Sequence, residues 1–259
     1  MNLGISGKRA IVCAASRGLG RACAQSLAQA GVIVVITGRD EARLAATAAE
    51  IAQSTGVKIL AAAGDITTPE GRAAALKLCP EPDILVNNGG GPPAGDFRDF
   101  TDEMWQSALN ANMLTPIAMI KAVIDPMIAR KFGRIINITS AAVKSPIAAL
   151  ALSNGARTGL TAFAAGLARE VARHNVTINN LLPGPFSTDR LRAIAANTAR
   201  QTGRTVEEEL ALRGVNNPTG RVGDPAEFGA ACAFLCSAQA GFIVGQNLLL
   251  DGGAFNATI

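Results

Sequence analysis

Three segments of this chain carry residue types that could do chemistry together. Residues 10–20, AIVCAASRGLG, join an apolar run to a turn of small residues and then to a helix start. Ser16, Arg17, Gly18, Leu19 and Gly20 would line that turn. Its glycines let backbone approach a pyrophosphate, and the helix N-terminus offers free N–H groups and a favourable dipole. Ala14 stands where the dinucleotide pattern has its first glycine, a departure that keeps the residue small. The second segment is ITGRD at 36–40. A carboxylate ending that strand would accept hydrogen bonds from a ribose 2′-hydroxyl and repel a 2′-phosphate. Gly38 occupies the position and Arg39 follows it. With Arg17 in the first turn, two guanidinium groups could flank a 2′-phosphate, so the reading favours NADP(H) over NAD(H). Asp40 then reads as the N-cap of the next helix. The third segment, ITSAAVKSPIAALALSNGAR at 138–157, contains Ser140, Lys144, Ser153 and Arg157, two hydroxyls and two cations.

Positioning these groups requires strands that end near one another. Short β-branched runs at 9–14, 32–37, 58–63, 84–87, 134–139, 177–182 and 247–250 alternate with alanine-rich helical stretches. Nearly continuous apolar runs such as VIVVI at 32–36 suit a parallel sheet buried on both faces. The alternation predicts an α/β fold, a single-domain Rossmann-type doubly wound parallel sheet over residues 1–259, with ligands at the carboxyl ends of its strands. Helices are expected at about 18–30 and 40–54, and the longest at 102–131 and 152–174. Between about 185 and 223 the pattern loosens into two short helices and turns, the size of a lid.

Composition narrows the function classes. The chain has 259 residues, 49% of them hydrophobic, enough for one large core. A net charge of +4 without Lys/Arg runs interleaved with aromatics argues against nucleic acid. Five cysteines form neither a CxxC nor a metal-like cluster with the lone His174, so no metal is expected. Their odd count and the lack of a signal peptide point to a reducing, cytoplasmic compartment. No run of about 20 apolar residues is evident, so no membrane span is expected. A serine hydrolase lacks its GxSxG elbow, and His174 falls at a helix C-terminus.

Several motifs then agree in order and separation: CAASRGLG at 13–20, GDI at 64–66, NNGG at 87–90, NAN at 110–112, ITS at 138–140, LLPGPFST at 181–188 and DGG at 251–253. Together they resemble the short-chain dehydrogenase/reductase family over nearly the whole chain, in particular its 3-oxoacyl-acyl-carrier-protein reductases. The resemblance implies that Asp65 and Ile66 flank an adenine, that Asn88, Gly89 and Gly90 run beside the adenosine ribose, and that Asn87 holds the central strand. It also implies that Pro183, Gly184 and Thr188 cover the nicotinamide side, with Phe186 among the cofactor-binding residues. Ser140 would polarise a carbonyl and Asn112 would support a water relay.

The chain departs from the family at one step. It contains no tyrosine, and Ser153 and Arg157 stand where a Tyr-x-x-x-Lys pair is expected. General acid catalysis contributes about 10²–10⁴-fold, and an aliphatic hydroxyl is a far weaker acid than a phenol. Arg157 could hold ribose hydroxyls, but a group that stays charged cannot shuttle a proton. Lys144 is the candidate replacement acid. Two functions follow: an NADP(H)-dependent oxidoreductase acting on a carbonyl, secondary alcohol or acyl thioester with an altered proton relay, or a dinucleotide-binding sensor or scaffold without turnover. The family also implies a homotetramer, its long helices and C-terminal strand packed on symmetry mates.

Overall fold

A computed structural model describes residues 2–257. The apolar runs form seven parallel strands: β1 (Arg9–Val12), β2 (Ile33–Gly38), β3 (Ile59–Ala63), β4 (Ile84–Asn87), β5 (Gly133–Ile138), β6 (Val176–Pro183) and β7 (Asn247–Leu250). Their order is β3-β2-β1-β4-β5-β6-β7, so the chain reverses direction of winding between β1 and β4. That crevice is where a doubly wound sheet binds ligands.

Successive strand residues feed opposite layers, as a pleated sheet requires. Val12, Val34, Ile36, Val86 and Ile136 pack under α1 (Gly18–Gln29), α2 (Glu41–Thr55) and α9 (Pro225–Leu235). Ile11, Val35, Leu85, Ile135 and Ile178 pack under α3 (Pro69–Leu78), α5 (Thr115–Ala129) and α6 (Ala151–Val171). Each such side chain removed from water contributes about 1.5–3 kcal/mol, which makes the sheet a rigid floor for the loops above it. The segment after β6 forms α7 (Asp189–Thr202) and α8 (Val206–Val215), the two helices expected of the lid.

The long helix expected at 102–131 runs without a break over Asp102–Ala129, but it is not α-helical throughout. α4 (Asp102–Leu109) passes through a π-helical turn at Asn110–Leu114 before α5 begins. Pro116 explains the change, because it has no N–H to give to the carbonyl of Asn112 four residues back or of Ala111 five back. The expectation about membrane spans is also corrected. Within Asp102–Ala129 an 18-residue window reaches a mean hydropathy of 1.2, and the helix is long and apolar enough to cross a bilayer by length and composition. Its apolar residues Met119, Ile120, Val123 and Met127 are instead spent on the sheet. All five cysteines are buried free thiols.

Candidate active site

The turn after β1 is held from three sides. Ala14 N–H donates to Thr37 Oγ1 at 3.0 Å, Ala14 C=O accepts from Asn88 Nδ2 at 3.1 Å, and Thr47 Oγ1 donates to the Ser16 carbonyl at 3.0 Å. These bonds fix Ala14 at φ 47°, the left-handed conformation that explains why a glycine is expected there. Gly20 must lack a side chain, since a Cβ would lie 2.6 Å from the Ala14 carbonyl oxygen.

The N-terminus of α1 differs from those of α2, α3, α4, α7, α8 and α9. Those six are capped by an Asp or Thr side chain, whereas the N-cap Arg17 of α1 makes no capping bond and no acid lies in the first turn. Its orphan N–H groups face the glycine turn, which fits a pyrophosphate. Leu19 packs against the adjoining apolar core.

At the end of β2, a side chain at Gly38 would press on Leu44 and on Ser16 Cβ, 3.2 and 3.3 Å from its Cβ. No carboxylate therefore stands there. Arg39 is exposed, and Asp40 caps α2 by accepting from Arg43 N–H at 3.0 Å. Asp65 accepts from Thr67 N–H and Oγ1 at 2.9 and 2.8 Å, and these bonds, with a smaller contribution from Arg39, hold its carboxyl below the usual range. Ile66 is buried in the apolar layer above α3. Arg17 reaches the lid, its guanidinium 3.3 Å from Asp189.

The ends of β4 and β5 meet α6 at Arg157. Its Nε and Nη2 donate to Asn112 Oδ1 at 3.3 and 3.1 Å, its Nη1 to the Thr139 carbonyl, and its Nη2 to the Gly89 carbonyl at 3.5 Å. Loss of water, with help from the charge of Arg190, brings its pKa down to about 10. Asn112 is buried in the π-helical turn and anchors itself through Nδ2 on the Ala108 carbonyl. Ser140 follows Thr139 directly. Its Oγ accepts from Ala142 N–H at 3.1 Å, which leaves the hydroxyl proton free to donate to a carbonyl. Ser153 is buried on α6. Lys144 lies with its Nζ 5.7 Å from the centre of the Phe255 ring. Gly90 opens on free space.

Pro183 and Gly184 end β6, where a Cβ on Gly184 would meet Asp251 Cα at 2.7 Å. Thr188 caps α7 and approaches the turn, its Cγ2 3.7 Å from where a Gly18 Cβ would be. Phe186, expected among the cofactor-binding residues, turns its ring into the core. Its ring is buried edge-on against Phe228, centroids 5.2 Å apart, because an apolar ring gains more from the core than from the open cleft.

Two features escaped the sequence reading. Arg190, second residue of α7, donates to the Gly91 and Pro92 carbonyls at 3.0 and 3.4 Å and so ties the lid to the loop after β4. Nothing in its local sequence marks it. The other is a buried amide ladder: Asn87 Nδ2 donates to Asn137 Oδ1, Asn137 to Asn180, and Asn180 to Asn247, at 2.9, 3.0 and 2.8 Å across four adjacent strands. An asparagine in each of β4, β5, β6 and β7 was its only signal.

Residues 13–254 match the family model described as enoyl-(acyl carrier protein) reductase. The chain is 35% identical to the 3-oxoacyl-[acyl-carrier-protein] reductase FabG of Vibrio harveyi over 258 residues, covering 98% of this chain and 99% of that protein. It is 31% identical to dehydrogenase/reductase SDR family member 4 of Homo sapiens, covering 96% and 88%. The L-sorbose reductase of Gluconobacter frateurii, crystallised with NADPH and L-sorbose, superimposes with a TM-score of 0.94 at 29% identity over all of both chains.

Proposed function

This chain belongs to the short-chain dehydrogenase/reductase family, and from that premise we propose that it is an NADP(H)-dependent oxidoreductase acting on a carbonyl or secondary alcohol through an altered proton relay. The observation that carries the reading is the convergence of Gly89, Asn112 and Thr139 on the Arg157 guanidinium, with the Ser140 hydroxyl next in chain. Around it, the uncapped α1 N-terminus and its glycine turn would hold a pyrophosphate, Asn88 to Gly90 would run beside the adenosine ribose, and Pro183, Gly184 and Thr188 would frame the nicotinamide half. Arg39, beside a Gly38 where a carboxylate would repel a 2′-phosphate, supports a 2′-phosphate and hence NADP(H) over NAD(H).

When bound, the reduced nicotinamide supplies the hydride. Ser140 donates a hydrogen bond to the carbonyl oxygen where charge develops, an effect that accounts for the largest share of stabilisation in such sites. Arg157 keeps its proton and holds ribose hydroxyls. The proton comes from Lys144 or from water, since Ser153 is too weak an acid to replace a phenol. A 3-oxoacyl thioester is one substrate class compatible with this site. We further place the protein in the cytoplasm as a homotetramer.

Fluorescence titration with NADPH and NADH, followed by oxidation assays on 3-oxoacyl thioesters and small ketones, tests the reading. NADPH should bind at least tenfold more tightly than NADH, and Ser140→Ala should lower turnover about 10²-fold. Lys144→Ala at full activity would assign the proton to water. The missing tyrosine favours a second reading, a dinucleotide-binding scaffold. Tight NADPH binding without turnover of any carbonyl would select it, and failure to bind either nucleotide would remove both.

A further inference from the structure

Several surface arginines around the site have a carboxylate partner. Arg17 pairs with Asp189, Arg21 with Glu50, Arg192 with Glu207 and Arg204 with Glu209. Arg157 and Arg190 have none among the described residues, and every bond they make goes to a neutral oxygen. They grip the same short segment, Arg157 at the Gly89 carbonyl and Arg190 at those of Gly91 and Pro92.

Arg134 shows what a purely structural arginine looks like in this fold. It is fully buried, and its guanidinium is consumed by the carbonyls of Gly133, Asn175 and Ser237 and by Asn175 Oδ1. Arg190 spends only two of its five donors, and it does so as an exposed residue at the start of α7. Dehydration lowers its pKa, and its charge adds to the lowering at Arg157. Two neighbouring, partly dehydrated cations without a counterion are an unfavourable arrangement that an anion between them relieves.

Gly91 and Pro92, which Arg190 holds, wall a cavity of about 380 Å³ lined also by Ala111, Asn112 and Glu103, so Arg190 adjoins the cavity through those two residues rather than lining it.

We propose that Arg190, with the charge of Arg157 behind it, receives a carboxylate of the substrate, so that the protein acts on small oxo or hydroxy acids in preference to neutral ketones or esters. The inference rests on the oxidoreductase reading and narrows its substrate class. Arg190 is a specificity residue here: its planar fork can take a carboxylate through two hydrogen bonds without giving up its hold on the loop.

The test compares acetoacetate and 4-oxopentanoate with their methyl esters, using NADPH as reductant. The wild-type protein should prefer each acid over its ester in kcat/KM by at least tenfold. Arg190→Ala should cut that acid-to-ester ratio at least tenfold, mainly through KM, and Arg190→Lys should keep an intermediate ratio. Arg192→Ala, which removes a lid charge already paired with Glu207, should leave the ratio unchanged. An ester-preferring wild type, a ratio insensitive to Arg190, or a loss confined to NADPH affinity would each overturn the proposal. Calorimetric titration of 4-oxopentanoate into the protein with NADP⁺ separates the two readings. Arg190-dependent binding without turnover would support the anion site while removing the oxidoreductase assignment.

Discussion

Ala14 carries a conformation that its own side chain resists. Three neighbours, Thr37, Asn88 and the Gly20 backbone, shape the turn so that it sits at φ 47°. A left-handed L-residue costs about 1–2 kcal/mol, and glycine loses about 0.5–1 kcal/mol of chain entropy on ordering. Ala14→Gly should therefore stabilise the protein by about 0.5–1 kcal/mol, raising Tm by roughly 1–3 °C. A lowered Tm in thermal denaturation would mean that the turn does not impose this strain. Asp65 gives a residue-scale prediction in pH. Its folded-state pKa is depressed by the Thr67 bonds first and Arg39 last, so its contribution is present above the unfolded value and is lost as pH falls through the folded one. The Tm difference between wild type and Asp65→Ala should be constant from pH 7 to about 5 and close below about 4. A gap that does not narrow at all as pH falls from 5 to 2 would show that the carboxylate charge contributes nothing.

At the scale of elements, the site is a meeting of strand ends, and the amide ladder keeps those ends in register. Asn137 is its centre: it accepts from Asn87 and donates to Asn180, and all three are buried. Asn137→Ala strands one donor and one acceptor away from water, at about 1–3 kcal/mol each, so a loss of about 2–5 kcal/mol is expected. Asn247→Ala, at the sheet edge where water can replace the lost partner, should cost less than half as much in denaturant titrations. Equal losses would mean that the ladder is not the source. The same elements show what the sequence could and could not reveal. Seven strands and their parallel pairing were legible because runs such as IVVI must be buried on both faces. The π-helical turn at Asn112 was not, because its cause is one missing N–H at Pro116 within an otherwise uniform helical period. Gly18, Gly20 and the Ser140–Arg157 segment were legible as spacing. Arg190 was not, because its importance comes from which loop the lid folds against, a property of tertiary structure.

At the scale of the molecule, the sheet ends in an unprotected edge. β7 pairs with β6 on one side, and the described residues place no strand on its other side. Around it, Phe242 is wholly exposed, and Phe234 and Leu248 are 39% and 38% exposed, on the last turn of α9, the loop after it and β7 itself. A second apolar group, Leu114, projects from the α4–α5 junction at 50% exposure. Isolated apolar side chains are ordinary, but large ones grouped at a free sheet edge mark a surface that a partner covers. Two such regions on different sides of one chain suit a dimer of dimers, each contact related by a twofold axis and repeated by symmetry. Light scattering coupled to a sizing column should give about four times the chain mass for the wild type. Phe242→Asp should remove one contact and yield dimers, and adding Leu114→Asp should yield monomers, with circular dichroism unchanged in both. The variants should keep NADPH affinity within about twofold, because the glycine turn, Asp65 and the Arg157 cluster all belong to one chain. A monodisperse wild-type monomer would leave these apolar groups without an owner and remove the tetramer from the functional picture.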